Sequence, residues 1–158
     1  LFDYIQTDKD TIKTALYALI FGAGTKRMQS ILGEIPVNKF LAIPLIQSLF
    51  MARNEEIKRI KKNGGATTCF GEFLSVKQFS ERSILAQLCQ AMELKLLEPV
   101  IQMAIENTGS HGFKILLWQH DGFTWAPNDS VNMQLWKERL TNAVGEQAKL
   151  LGITTVLS

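Results

Sequence analysis

Two lysines and two aromatic residues follow one another at four-residue intervals near the amino end of the chain: Lys9, Lys13, Tyr17 and Phe21. A helix turns about 400° in four residues, so side chains at this spacing stay on one side of it. Ammonium groups neutralise phosphate oxygens, and flat rings pack against sugars and bases. The pattern predicts a surface for a polyphosphate that carries an aromatic base. Solvated lysines beside rings buried in the core are the structural alternative.

A second candidate group lies in the sequence ILLWQHDGFTW at residues 115–125, where His120 and Asp121 separate two apolar runs. A carboxylate such as that of Asp121 is a hard oxygen ligand that suits Mg²⁺. The structural alternative is a turn-forming aspartate beside Gly122. A metal-dependent phosphohydrolase with an HD pair is excluded, because it needs several further histidines and the sequence has only His111 and His120.

Hydrophobic periodicity predicts the elements that must position these groups. Pro36 and Asn38 indicate a connector rather than a helix over the sequence IPVNKF, and Pro99 is expected to bend or break the longest helix. Gly109 is expected to end that helix. The predicted helices cover residues 8–21, 26–32, 44–62, 80–109 and 131–152; the predicted strands form a hairpin over 66–79, a pair over 113–119 and 122–127, and a last strand over 153–158.

The composition is that of a globular domain, since 46% of the 158 residues are hydrophobic and 20% are charged. No apolar run reaches the roughly 20 residues that a membrane span needs. Residues 1–62 contain ten Lys and Arg against six Asp and Glu, whereas residues 63–158 contain seven against nine. This asymmetry suits a protein that meets phosphate at one end and metal at the other, although ordinary surface scatter gives the same numbers.

The spacing from Lys9 to Phe21, followed by glycine, resembles motif B of family A DNA polymerases, whose form is Arg-x3-Lys-x3-(Phe/Tyr)-x3-Tyr-Gly. The sequence YALIFGAG is similar to the phage and organellar version. The resemblance implies that Lys9 and Lys13 hold the triphosphate of an incoming nucleotide, and that Lys13 assists the departing pyrophosphate. Tyr17 would pack on the sugar, and its hydroxyl implies tolerance of dideoxynucleotides. Phe21 would stack near the template base.

Two further motifs follow in the order that this family has. The sequence QHDG between apolar strands looks like motif C of the palm hairpin, which implies that Asp121 is one of two aspartates that hold two Mg²⁺ ions. The sequence ERSILAQLCQ resembles the Arg-x7-Gln helix of the family. The resemblance then implies that His120 and Arg82 contact the primer strand, and that Gln90 contacts the minor groove of the duplex.

Four positions depart from the family pattern: Lys9 replaces Arg, Phe21 replaces Tyr, Ala86 replaces a frequent Asn, and Gly122 replaces the Glu after His-Asp. Motif A, which supplies the second metal-binding aspartate, is not in the sequence. Because one aspartate cannot hold two ions, the chain alone is expected not to polymerise DNA. It is expected to require an upstream polymerase portion, from the same gene or as a split subunit. The alternative is a non-catalytic remnant that binds nucleic acid or a protein.

The resemblance implies an α+β fold, with a helical fingers portion over residues 1–62 and a palm portion over residues 63–158. The palm is expected to have a small antiparallel sheet with packed helices. The implied activity is template-directed nucleotidyl transfer by a two-metal mechanism, with primer–template DNA and deoxynucleoside triphosphates as partners and Mg²⁺ as cofactor. No membrane partner is expected. The phage and organellar likeness implies a DNA-containing compartment, such as a plastid, a mitochondrion or a phage-infected cytoplasm.

Overall fold

A computed structural model describes residues 7–119, 122–129 and 132–154. The chain divides into two compact units, Leu1–Leu88 and Cys89–Ser158. Six helices and four strands lie in the described residues: α1 (Lys9–Ile20), α2 (Thr25–Leu32), α3 (Glu34–Leu41), α4 (Pro44–Asn63), β1 (Gly65–Thr67), β2 (Phe73–Ser75), α5 (Glu81–Glu106), β3 (Phe113–Gln119), β4 (Gly122–Pro127) and α6 (Met133–Leu150).

The first unit is built on helices α1 to α4. Helix α1 begins where the Asp8 carboxylate accepts hydrogen bonds from the backbone N–H of Thr11 at 2.8 Å and from its hydroxyl at 2.6 Å. These bonds lower the pKa of Asp8, because they favour the ionised form. Apolar residues from all four helices then form one core; the buried members are Ile12, Ala15, Leu19, Met28, Leu32, Val37, Phe40 and Ile46.

The sequence IPVNKF is helical, so its prediction as a connector is wrong. It lies within α3, and Pro36 is the third residue of that helix. The first N–H groups of a helix have no acceptor within it, so proline costs little there. Val37 and Phe40 are buried on α3 and fix the helix to the core. The burial of these two residues outweighs the weak local preference of the segment.

Two separate antiparallel hairpins give the strands. In the first, Ala66 of β1 pairs with Leu74 of β2, as the prediction over residues 66–79 requires. In the second, β3 pairs with β4, with a register irregularity between Ile115 and Leu117. Both hairpins are confirmed, and the combination of helices with two small antiparallel sheets is the predicted α+β class.

The second unit has its own core, in which α5 and α6 pack with the β3–β4 hairpin. The Trp136 ring lies 4.7 Å from the ring of Phe113, centre to centre, and its Nε1–H donates to the carbonyl oxygen of His111 at 2.9 Å. Pro99 lies inside α5 and does not break it, because the helix continues to Glu106. The buried residues of this core are Leu97, Val100, Phe113, Trp136, Leu140 and Val144.

Three other predictions concern membrane spans, the last strand, and the fingers and palm portions. None of the helices in the described part of the chain is long and apolar enough to cross a membrane. The strand predicted over residues 153–158 falls largely outside the described residues, and Ile153 and Thr154 are not in a strand. The assignment of residues 1–62 to fingers and 63–158 to palm stays a prediction.

Candidate functional site

The four residues with regular spacing lie on the solvent side of α1, and we call Lys9, Lys13, Tyr17 and Phe21 the ridge. All four side chains are exposed, with 42% of Tyr17 and 41% of Phe21 accessible to solvent. The two rings are nearly parallel, at 4°, with centroids 6.4 Å apart. The Lys13 Nζ lies 5.7 Å from the centroid of the Tyr17 ring. The ridge therefore offers a cation followed by two aligned rings.

The opposite side of α1 explains why the ridge is exposed. Ile12, Ala15 and Leu19 are buried there, with at most 5% of any side chain accessible. Because this apolar side faces the core, the helix has to turn the ridge outward. The alternative in which the two aromatic rings are core residues is therefore excluded.

Gly22, the residue that follows the ridge, has a conformation that requires glycine. Its φ is +93°, in the region that L side chains rarely adopt. The space where a Cβ would lie is also occupied, because Cδ and Nε of Arg82 come within 2.9 and 3.0 Å of that point. The exposed Arg82 side chain, which sequence analysis assigns to the primer strand, thus lies directly against the end of α1. The fold brings these distant motifs together.

Replacing Gly22 by alanine is expected to lower the free energy of unfolding by about 1–2 kcal/mol, because of the positive φ alone. Arg82 must also move away from the new methyl group. Chemical denaturation of the two proteins measures the change. Gly145→Ala is the matched control, because Gly145 lies inside α6 with no neighbouring atom within 4 Å of its Cβ position. That change should stabilise the protein by about 0.5–1 kcal/mol. Equal losses in both variants would contradict the role given to Gly22.

Sequence analysis missed a second arginine at the same end of α1. Arg53 of α4 donates from Nη1 to the carbonyl oxygens of Leu19 and Ala23, at 2.7 and 3.3 Å. Burial, and then the positive charge of Arg82, lower the pKa of Arg53. One signal was available in the sequence: Arg53 falls on the apolar side of α4, in helical register with Phe50 and Ile57. A charged residue on a core-facing side indicates a buried partner.

The predicted metal ligand, Asp121, and its neighbour His120 lie outside the described residues. Strand β3 ends at Gln119, β4 begins at Gly122, and these two residues are paired. Over residues 7–119, 122–129 and 132–154, no group of three His, Cys, Asp or Glu side chains is placed to hold a metal ion. The described residues therefore provide no fit for Mg²⁺, and the assignment to Asp121 stays a prediction.

The remaining predicted DNA contact, Gln90, lies on α5 with its side chain exposed. It belongs to the second unit, whereas Arg82 belongs to the first. Arg82 thus lies against Gly22, the residue after the ridge, and the side chain of Gln90 is exposed on the same helix, α5. The roles of both residues toward DNA stay predictions.

No protein-family model and no curated protein matches the sequence. Among solved structures, the chain is similar to the POL domain of Pol1 from M. smegmatis, determined in complex with DNA primer-template and dNTP. The sequences are 18% identical, the TM-score is 0.62, and the match covers 87% of this chain. It covers 27% of the other chain, so this chain spans about a quarter of that structure. The likeness shows that the chain has a fold similar to part of a DNA polymerase domain.

Proposed function

We propose that this chain provides the nucleotide-binding helix and one metal-binding aspartate of a family A DNA polymerase, and that it works with an upstream polymerase portion. The observation that supports this most is the exposed ridge on α1, where a lysine and two parallel rings stand in line. The fold supports the same proposal, because it is similar to part of a polymerase domain. A helix that serves only to fill a core does not need an exposed line of a lysine and two parallel rings.

The ridge would act on the incoming nucleotide by charge and position. Phosphoryl transfer needs little covalent chemistry from the protein, so correct placement and neutralisation of the triphosphate supply most of the catalysis. Lys9 and Lys13 would neutralise the phosphate oxygens, and Lys13 would stabilise the pyrophosphate as it leaves. Tyr17 would pack on the sugar, and Phe21 would stack near the template base. The order along α1, from cations to rings, matches the order of groups in a nucleoside triphosphate.

Four other residues have proposed roles toward metal or DNA. Asp121 would bind Mg²⁺, which when bound activates the primer hydroxyl and stabilises the leaving oxygens. Arg82 and His120 would contact the primer strand, and Gln90 the minor groove. The second aspartate would come from the upstream portion.

Calorimetric titration of the whole chain tests the nucleotide site directly. The ligands are a deoxynucleoside triphosphate, inorganic triphosphate and the deoxynucleoside alone. We expect the complete nucleotide to bind tightest, because only it engages both the cations and the rings of the ridge. Equal affinity for the nucleotide and for inorganic triphosphate would show that the rings do not take part, and would contradict the site.

Mg²⁺-dependent primer extension by the chain combined with its upstream portion tests the activity. Extension that requires both parts is the expected result. If nucleotide and DNA bind but no extension occurs, the non-catalytic remnant is the correct description.

Tyr17→Phe should change the choice between sugars rather than the affinity for ordinary nucleotides. The resemblance implies that the Tyr17 hydroxyl gives tolerance of dideoxynucleotides, so its loss should disfavour them. A single net hydrogen bond of about 1 kcal/mol corresponds to roughly a fivefold fall in their use relative to deoxynucleotides. Competition between the two substrates in primer extension gives this ratio. An unchanged ratio would remove Tyr17 from the sugar position.

A further inference from the structure

The Arg53 side chain contacts four residues of the first unit. Nη1 holds the carbonyl oxygens of Leu19 and Ala23, while Nη2 and Nε donate to Oδ1 of Asn54 at 2.8 and 3.3 Å. The guanidinium carbon lies 4.4 Å from the centroid of the Phe50 ring. The planar group is thus fixed at one edge by an amide, at another by two carbonyls, and on its face by an aromatic ring.

These contacts join α4 to the end of α1 that carries the ridge. The two carbonyl groups belong to residues on either side of Phe21, which is the last residue of the ridge. The backbone also turns there, because Gly22 N–H donates to the Leu19 carbonyl at 3.1 Å and Ala23 N–H to the Ala18 carbonyl at 2.8 Å. A cation is electrostatically favoured at this carboxyl end of a helix. Arg53 therefore fixes the direction in which the chain leaves α1.

We infer that Arg53 is a positioning residue for the aromatic half of the ridge. By holding the backbone on both sides of Phe21, it keeps that ring parallel to Tyr17, in the place where a nucleoside would pack. Lys9 and Lys13 lie one to three turns nearer the start of α1, and the hydrogen bonds and ring contact described for Arg53 are with other residues. The inference rests on the proposed function, in which the ridge binds a nucleoside triphosphate. The inference predicts that the position of the aromatic half of the ridge depends on Arg53, whereas the position of the lysine half does not.

Lysine cannot replace this arginine. A single ammonium group cannot bond the Asn54 amide and the Leu19 carbonyl together while stacking flat on Phe50. Arg53→Lys and Arg53→Met should therefore have similar effects, although only one of them removes a charge. Asn54→Ala removes the amide that orients the guanidinium, and it is expected to give a smaller effect of the same kind.

The test compares two ligands on the whole chain. In Arg53→Met, the dissociation constant of the deoxynucleoside triphosphate should rise about tenfold, as the loss of charge-assisted hydrogen bonds implies. That of inorganic triphosphate should stay within about twofold, because both lysines keep their places. Arg59→Met is the matched control: Arg59 also lies on α4, with a side chain 60% exposed, and it pairs with Glu56 of its own helix. This control should leave both constants unchanged.

If Arg53→Met weakened the binding of both ligands by the same factor, the inference would be overturned. It would also be overturned if neither dissociation constant changed. If Arg53→Met does not fold, Asn54→Ala decides by the same comparison. Amide hydrogen exchange gives a second readout that does not depend on nucleotide. The N–H groups of Gly22 and Ala23 should exchange faster in Arg53→Met, and unchanged protection would also overturn the inference. If the wild-type chain binds neither ligand, the proposed function fails, while the exchange result still decides whether Arg53 holds this turn.

Discussion

Lys13→Ala is expected to lower the rate of nucleotide incorporation by about 10²–10³-fold in the proposed polymerase, assembled from this chain and an upstream portion. A charged group that stabilises developing charge in a transition state contributes on this scale. Lys13 is exposed on the ridge beside the Tyr17 ring, so its removal deletes a phosphate contact without opening the core. Single-turnover incorporation of one nucleotide measures the effect. The fall should appear mainly in the maximal rate if Lys13 acts on the leaving pyrophosphate.

Two controls separate this role from simple loss of positive charge. Lys62→Ala removes the same charge from the last turn of α4, and incorporation should remain within about twofold of wild type. Lys13→Arg keeps the charge and should retain more activity than Lys13→Ala. If Lys62→Ala and Lys13→Ala slow the reaction equally, the effect is one of net charge, and Lys13 has no specific part in the site.

Asp121→Asn should abolish primer extension in the assembled polymerase while DNA affinity stays within about twofold. An amide oxygen is a weaker Mg²⁺ ligand than a carboxylate, and no accessory carboxylate follows it, because the next residue is Gly122. The loss should exceed the roughly 10²–10³-fold expected for a single electrostatic contact. Extension at several Mg²⁺ concentrations and binding of labelled primer–template measure the two quantities.

Asp129→Asn is the matched control, because it makes the same change beyond the other end of the β3–β4 hairpin, where Asp129 lies 3.9 Å from His111. Extension by this variant should be near that of wild type. Full extension by Asp121→Asn would exclude Asp121 as the metal ligand. Loss of DNA binding together with activity would indicate a contact with DNA instead.

The helices that could be predicted from sequence are those in which pattern and packing agree. Helix α1 has an apolar stripe and ends before a glycine, so its existence follows from residue spacing. The exposure of its two rings does not, because rings buried in the core would have the same spacing. Helix α3 does not follow from the sequence pattern, because proline usually breaks a helix, whereas the place of Pro36 in the first turn makes it compatible with one. Pro99 is similar, since burial of Leu97 and Val100 on either side favours a continuous α5.

The candidate site was predictable only in part. Residue types and intervals identify Lys13, Tyr17 and Phe21, because helix geometry alone places them together. The contact between Arg82 and Gly22 joins residues 60 positions apart, and only the resemblance pointed to both of them. Arg53 had a local signal, its register with the apolar side of α4, but the carbonyl groups that it binds belong to another helix. Backbone acceptors leave no trace in the sequence, so such contacts need a structure.

The distribution of aromatic residues between the two units gives each unit a separate optical signal. All three tryptophans, Trp118, Trp125 and Trp136, belong to the second unit, and both tyrosines belong to the first. Trp136 is buried and Trp118 is 40% exposed, so unfolding of the second unit should shift tryptophan emission to longer wavelength. Excitation above 295 nm, roughly, would leave the first unit silent. Tyrosine absorbance and tryptophan fluorescence would then show whether the two units melt together or in sequence.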